Sequence, residues 1–196
     1  MNIRAASLRA PFPRVLRYTD VRSYLLTASF VLLGVAAPWG FHQFHLAGAT
    51  YLPMHLFALG AGLAFGWRAG LVTGLLTPLA SFTISGMPTL AILPQAVVEI
   101  AAYGLLAGWL AEKCHLKVVW SLLGAMAGGR LALLIFLVST YLINGQSYGP
   151  LGPEAGPLGA LGTAVRLGWP GMVLQLTLLP LAFRLAAGYA ARHRAQ

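Results

Sequence analysis

The chain of 196 residues is 58% hydrophobic and only 9% charged, yet its formal net charge is +9. Soluble domains usually carry about 25% charged residues, so this composition excludes an ordinary soluble domain and indicates an integral membrane protein. Apolar runs long enough to cross a bilayer as helices are present, whereas the alternating pattern typical of membrane strands is not. The sequence therefore predicts an all-α membrane protein.

Six apolar segments predict six transmembrane helices in chain order. They cover residues 24–39, 52–65, 69–85, 92–110, 118–143 and 161–187. The second and third are joined by a very short turn at residues 66–68, and glycines at positions 60, 62, 66, 70 and 74 predict that these two helices pack closely. We predict one domain over residues 23–190, with a basic segment at 1–22 before it and a tail at 191–196 after it.

The basic residues are unevenly distributed between the connecting segments, and this asymmetry predicts the orientation of the chain. One set of segments carries Arg4, Arg9, Arg14, Arg17, Arg22, Arg68, Lys113, Lys117, Arg184, Arg192 and Arg194. The intervening loops at residues 41–50, 86–91 and 145–160 contain no lysine or arginine. By the positive-inside rule both termini are expected in the cytoplasm. The positive charge is therefore interpreted as a topology signal with some attraction to anionic lipid, and not as a nucleic-acid site.

Two charged residues, one in each of two predicted helices, stand out deep inside the membrane, where a charge is costly and calls for a partner or a function. Glu99 lies in the outer half of the fourth helix, and Arg130 lies near the middle of the fifth. One interpretation is that they pair with each other only to fix the packing of two helices. The other is that one or both face a polar cavity and bind a ligand. The sequence leaves both interpretations open.

Aromatic, imidazole and amide side chains collect near the predicted outer ends of the helices. His42 and His45 lie at the first outer loop, His55 begins the second helix, and Tyr103 is one turn beyond Glu99. Further candidates from the last two helices and their loop are Tyr141, Asn144 and Trp169. Aromatic rings at a membrane interface are often only anchors, but together these residues predict an outward-facing ligand cavity.

The histidines near that level invite a metal-binding interpretation, since imidazole binds several transition metals. Acidic side chains are scarce nearby, however, and the single cysteine, Cys114, is expected near the cytoplasmic side. The sequence contains no nucleotide-binding loop, zinc-protease motif or nucleophile elbow. We therefore predict ligand binding with no metal site, no cofactor and no catalysis, and we keep uptake of haem or a metal as an alternative.

Five short motifs follow one another in "YLPMHLFALGAGLAFGWRAGLVTGLLTPLASFTISGMP" and in "LPQAVVEIAAYGLLAGWL". They are Leu52 to His55, Gly62 to Gly66, Pro78 to Ser81, Gly86 to Pro88, and Glu99 to Gly104. In order and spacing they resemble the substrate-binding S-components of energy-coupling factor (ECF) vitamin transporters. The motifs span the second to fourth helices, while the chain length and the predicted six-helix topology are similar to that family throughout.

The resemblance implies an S-component-like bundle in the plasma membrane of a prokaryote, which captures a vitamin or related micronutrient from outside. It also implies partners, namely a coupling membrane subunit and two ATPase subunits that hydrolyse ATP. The family's Ala-x-x-x-Ala docking motif is incomplete here, since Ala28 is followed four residues later by Leu32. Candidates for docking on the coupling subunit are Ala28, Gly34, Gly62 and Gly66.

His55 stands where an apolar run begins, and it has two expected roles. Its ring can hydrogen-bond a loop that closes the cavity, or it can bind the ligand itself. The function expected from the sequence is capture of a small, heteroaromatic micronutrient. The alternative from a different class is a small membrane enzyme or scaffold that acts on a lipid.

Overall fold

The computed structural model describes residues 21–43 and 48–193. Within these ranges the chain forms a bundle of helices with one short hairpin. The helices are α1 (Val21–Gln43), α2 (Gly48–Tyr51), α3 (Pro53–Phe65), α4 (Trp67–Ser85), α5 (Leu93–Glu112), α6 (Val118–Asn144) and α7 (Pro157–His193). The hairpin strands, β1 (Ser147–Gly149) and β2 (Gly152–Glu154), are antiparallel.

Each of the six predicted segments coincides with one helix, and four of these helices are long and apolar enough to cross a membrane. The four are α1, α5, α6 and α7. Helix α3 has 13 residues, fewer than the ~20 that a span usually needs. Helix α4 has 19 residues, but Thr73, Thr77 and Ser81 make it less apolar. The fold is that of an all-α membrane protein with four candidate spans among the described residues.

Glycine with a positive φ ends three of the helices, α3, α4 and α6. Gly66 has a φ of 91° between α3 and α4, and Gly145 has a φ of 65° at the end of α6. A side chain would make either conformation costly. The turn predicted at residues 66–68 is confined to Gly66, because α4 already begins at Trp67.

Helices α3, α4 and α5 meet backbone to backbone. We call this meeting point the glycine contact; it comprises Gly62, Gly70, Gly74, Gly104 and Gly108. A Cβ atom at Gly70 would meet the carbonyl oxygen of Gly104, and a Cβ atom at Gly104 would meet that of Gly70. The close packing predicted for the second and third helices is therefore shared with α5, since small residues let helix backbones approach closely.

The apolar core lies between α3, α5, α6 and α7. Its buried members are Leu59, Leu63, Tyr103, Ala107, Leu122, Ala125, Met126 and Leu179. The outer surfaces of the bundle also carry large aliphatic side chains, among them Leu32, Ile135 and Leu185. Wide apolar surfaces are rare on soluble monomers, so this distribution suits a chain surrounded by lipid.

The predicted outer loop at residues 145–160 contains secondary structure. It contains the hairpin, in which Tyr148 is opposite Pro153. Helix α7 begins at Pro157, where proline is favoured because the first helical positions need no backbone N–H. The hairpin and the first turns of α7 therefore cover one end of the bundle.

Candidate functional site

A cavity of about 380 Å³ lies at the hairpin end of the bundle. Its lining comes from the end of α1, the first turns of α3 and α5, the end of α4, the middle of α6, the hairpin, and the start of α7. The walls are mainly apolar, and the polar side chains among them are His55, Ser81, Ser85, Thr89, Gln95, Glu99, Arg130 and Tyr148. Apolar walls with a few convergent polar groups are typical of small-molecule sites.

Glu99 and Arg130 form a buried ion pair in the cavity wall. Arg130 Nη1 lies 2.7 Å from Glu99 Oε1, and the two side chains are only 12% and 9% exposed. Gly129 lets α6 approach α5 here, since a Cβ atom at that position would overlap the ring of Tyr103. Opposite charges at this distance offset part of each other's desolvation cost. The pair therefore joins two helices and also borders the cavity, so the two interpretations of its role are compatible.

His55 stands beside this ion pair. Its Nε2 lies 3.7 Å from Glu99 Oε1, and its ring meets the Tyr103 ring edge to face at a centroid distance of 4.8 Å. His55 lines the cavity, whereas Tyr103 is fully buried behind it. We refer to Glu99, Arg130, His55 and Tyr103 as the polar cluster.

The polar cluster has hydrogen-bonding groups that the described residues do not satisfy. His55 Nε2 and Arg130 Nε and Nη2 are buried without a hydrogen-bond partner in the described part of the chain. Leaving such a group unpaired costs about 1–3 kcal/mol, so most buried polar groups in proteins are paired. These atoms lie next to the cavity but are not exposed to it, so a ligand would reach them only after a small shift of the side chains.

Helix α7 holds the start of α3 in place. Gln175 is fully buried, and its Nε2 donates a hydrogen bond to the carbonyl oxygen of Leu52 at 3.1 Å. Leu52 has a φ of 50°, a left-handed conformation that is unfavourable for a residue with a side chain. Because His55 follows within one turn, Gln175 helps to fix the position of the imidazole.

The remaining predicted site residues are placed differently. Tyr141, Asn144 and Trp169 are exposed, and they are outside the set of described residues that line the cavity. His45 falls outside the described residues, as does the side chain of His42. The prediction that these residues contact a ligand is therefore supported by geometry only for His55, Glu99 and Arg130, with Tyr103 behind them.

Sequence reasoning missed Gln95 as a site residue. It is buried, lines the cavity, and precedes Glu99 by one turn of α5. Residues four apart share a helix face, so the spacing from Glu99 was a usable signal. Leu133 and Leu137, three and seven residues after Arg130, lie on the same face of α6 and also line the cavity.

Three of the four docking candidates are buried within the chain itself. Gly34 faces Thr77 of α4, Gly62 belongs to the glycine contact, and Gly66 faces Glu112. Ala28 alone of the four is exposed, on α1. In this conformation the three glycines serve helix packing within the chain, which leaves Ala28 as the candidate that a partner can reach.

Within residues 21–43 and 48–193, no three His, Cys, Asp or Glu side chains are grouped so that they could hold a metal ion. The polar cluster instead offers a carboxylate, a guanidinium and an imidazole to a ligand. No family model, curated protein or solved structure matches the chain. Function is therefore inferred from the composition, the cavity and the polar cluster.

Proposed function

We propose that this chain is the substrate-capture subunit of an ECF-type importer. In this role it binds a small micronutrient from outside the cell and delivers it through a coupling membrane subunit driven by two ATPase subunits. The observation that carries the proposal is the position of the polar cluster. It borders a cavity at the end of the bundle whose connecting loops at 86–92 and 145–156 lack lysine and arginine.

The motifs that resemble the S-components support the proposal through their positions. Leu52 to His55 and Gly86 to Pro88 contribute to the cavity lining. The motif from Glu99 to Gly104 begins with a member of the ion pair and ends with a glycine of the glycine contact. Motifs that resemble one family thus belong to the cavity wall or to the helix packing that shapes it.

We propose six membrane crossings with both termini in the cytoplasm. Helices α3 and α4 are connected through Gly66 alone, and as a pair they would cross and return. Arg22, Arg68, Lys113 and Lys117 lie in or beside the connections at the opposite end of the bundle from the hairpin. By the positive-inside rule, this proposal has the cavity opening toward the outside.

Thiol labelling of intact cells tests this orientation. Cys114 is the native cysteine and is exposed. We expect an impermeant maleimide to leave it unmodified until the cells are permeabilised. Leu151 is 72% exposed in the hairpin turn, so Leu151→Cys in a Cys114→Ser background should react in intact cells. Modification of Cys114 but not of position 151 in intact cells would reverse the orientation.

Native mass spectrometry of the purified protein tests the class of function. A bound small molecule of vitamin size is expected, and it should be lost when the cavity is filled by Ala96→Phe. Co-expression with an ECF coupling subunit and its ATPases should yield a complex and ATP-dependent uptake of that molecule. A cavity-bound lipid in place of a small molecule would favour the lipid-acting alternative, and accumulation in liposomes without ATP would contradict the proposed division of labour.

A further inference from the structure

We infer that the ligand of this cavity is an uncharged compound of one or two rings, with a hydrogen-bond donor next to an acceptor, as in a lactam or a ring carboxamide. The inference rests on the proposed function, because it takes the cavity to be a binding site. It goes further in specifying the charge and the polar edge of the ligand. Three properties of the cavity carry it: size, charge balance and the arrangement of polar groups.

The size of the cavity limits the ligand. Small-molecule pockets usually measure about 300–1,000 Å³, and this cavity of about 380 Å³ is near the lower end. Ile92, Ile100 and Leu133 supply apolar wall surface that suits the faces of a flat ring. One or two rings fit such a space better than a tetrapyrrole does.

The charge balance of the lining selects against a charged ligand. Among the described lining residues, Glu99 and Arg130 are the two with a permanent formal charge, and they are opposite and 2.7 Å apart. An anionic or cationic ligand would leave water without gaining a free counter-charge, which is unfavourable in a mainly apolar cavity. To gain a counter-charge, a charged ligand would have to displace either Glu99 or Arg130 from its partner. An uncharged ligand avoids both costs.

The polar groups are arranged to bind a donor and an acceptor side by side. The Glu99 carboxylate accepts hydrogen bonds, and the adjacent Arg130 guanidinium donates them. Gln95, one turn before Glu99, has an amide that does both. The N–H and C=O of a lactam or carboxamide are neighbours, so one such group can contact both members of the ion pair without separating them.

Three probes of nearly equal size test the inference, namely benzamide, benzoate and benzamidine, which are neutral, anionic and cationic. Binding would be measured by calorimetry or ligand-detected NMR on monodisperse protein, with all three probes at the same pH. Wild-type protein should bind benzamide at least tenfold more tightly than either charged probe. Ala96→Phe, which fills the cavity, should abolish binding of all three.

Two substitutions should change the preference in opposite directions. Glu99→Gln leaves Arg130 without its counter-charge. The affinity for benzoate, relative to that for benzamide, should therefore rise at least tenfold. Arg130→Met leaves Glu99 unpaired, so the affinity for benzamidine relative to that for benzamide should rise at least tenfold. The wild-type ranking is decisive by itself if either variant fails to fold.

The outcomes separate this inference from the proposed function. If wild-type protein binds benzoate or benzamidine more tightly than benzamide, the inference that the ligand is uncharged is wrong. If Ala96→Phe abolishes that binding, the cavity is still a binding site. Equal binding of all three probes would also overturn the inference that the ligand is uncharged. Failure of folded wild-type protein to bind any probe would overturn the ring-ligand inference. The native mass spectrum would then show independently whether a small molecule occupies the cavity.

Discussion

Replacing Arg130 with methionine is expected to destabilise the folded protein by about 3–5 kcal/mol, because it leaves the carboxylate of Glu99 buried without its counter-charge. Glu99→Gln should have a similar cost, since it leaves the guanidinium unpaired. Both side chains are nearly buried, and their charged atoms lie 2.7 Å apart. Thermal or denaturant unfolding of detergent-purified protein measures the effect.

The double variant Glu99→Gln/Arg130→Met separates the two roles of the pair. Removing both charges leaves neither one uncompensated, so the double variant should be more stable than either single variant. Its affinity for the native ligand should still fall at least tenfold, because loss of a buried charged contact costs about 2–5 kcal/mol. Recovered stability with normal affinity would restrict the pair to helix packing.

Lys113→Met is the matched control for the buried pair. Lys113 Nζ lies 3.9 Å from Glu112 Oε1, and the lysine side chain is 59% exposed. Exposed pairs of this kind contribute about 0–1 kcal/mol, so unfolding should change little. A loss as large as that of Arg130→Met would mean that burial is not the cause of the effect.

A second large effect is expected at the glycine contact. Gly104→Ala places a Cβ atom against the backbone of Gly70, and a backbone cannot rotate away as a side chain can. Overpacking usually costs about 1–3 kcal/mol. Because the neighbouring backbone is rigid, we expect the cost of this variant to be at or above the upper end of that range. The unfolding temperature should fall, and the ligand affinity should fall with it because α5 also carries Glu99.

Gly162→Ala in α7 provides the comparison for this substitution. A Cβ atom there meets nothing within 4 Å apart from its chain neighbours and the nearby backbone of its own helix. Alanine is favoured over glycine inside a helix by about 0.5–1 kcal/mol, so this variant should be neutral or slightly more stable. Equal destabilisation by the two variants would contradict the role assigned to the glycine contact.

Sequence reasoning predicted the helices well because their apolar runs are long and bounded by glycine, proline or charge. Helix α2 and the hairpin were not predicted, because segments of three or four residues have no useful periodicity. The third partner of the glycine contact was also missed. Glycine spacing on α3 and α4 indicates a close approach, but it does not identify α5 as the helix that they approach.

The polar cluster was largely predictable, whereas the outer residues of the last two helices were not. Glu99, Arg130 and His55 were recognisable because ionisable groups in apolar runs require a partner. Arg130 is paired with Glu99, and α6 continues for more than three turns beyond it to Asn144. Helix α5 begins at Leu93, less than two turns before Glu99. Leu133 and Leu137 line the cavity from α6, whereas Tyr141 and Asn144 near its end are exposed. The predicted span does not show how far along α6 the cavity reaches.

The length of α7 has a mechanical consequence. Its 37 residues extend about 55 Å at 1.5 Å per residue, well beyond the ~30 Å of hydrocarbon in a bilayer. Ala160 and Ala164 near its start line the cavity, and Arg192 is near its end. One continuous helix thus runs from the cavity wall to the opposite end of the bundle. Pro170 and Pro180 lie within it, and proline is where a helix bends. Under the proposed function, a bend at either proline would couple a movement at the cavity to the end of the bundle that carries Arg68, Lys113 and Lys117.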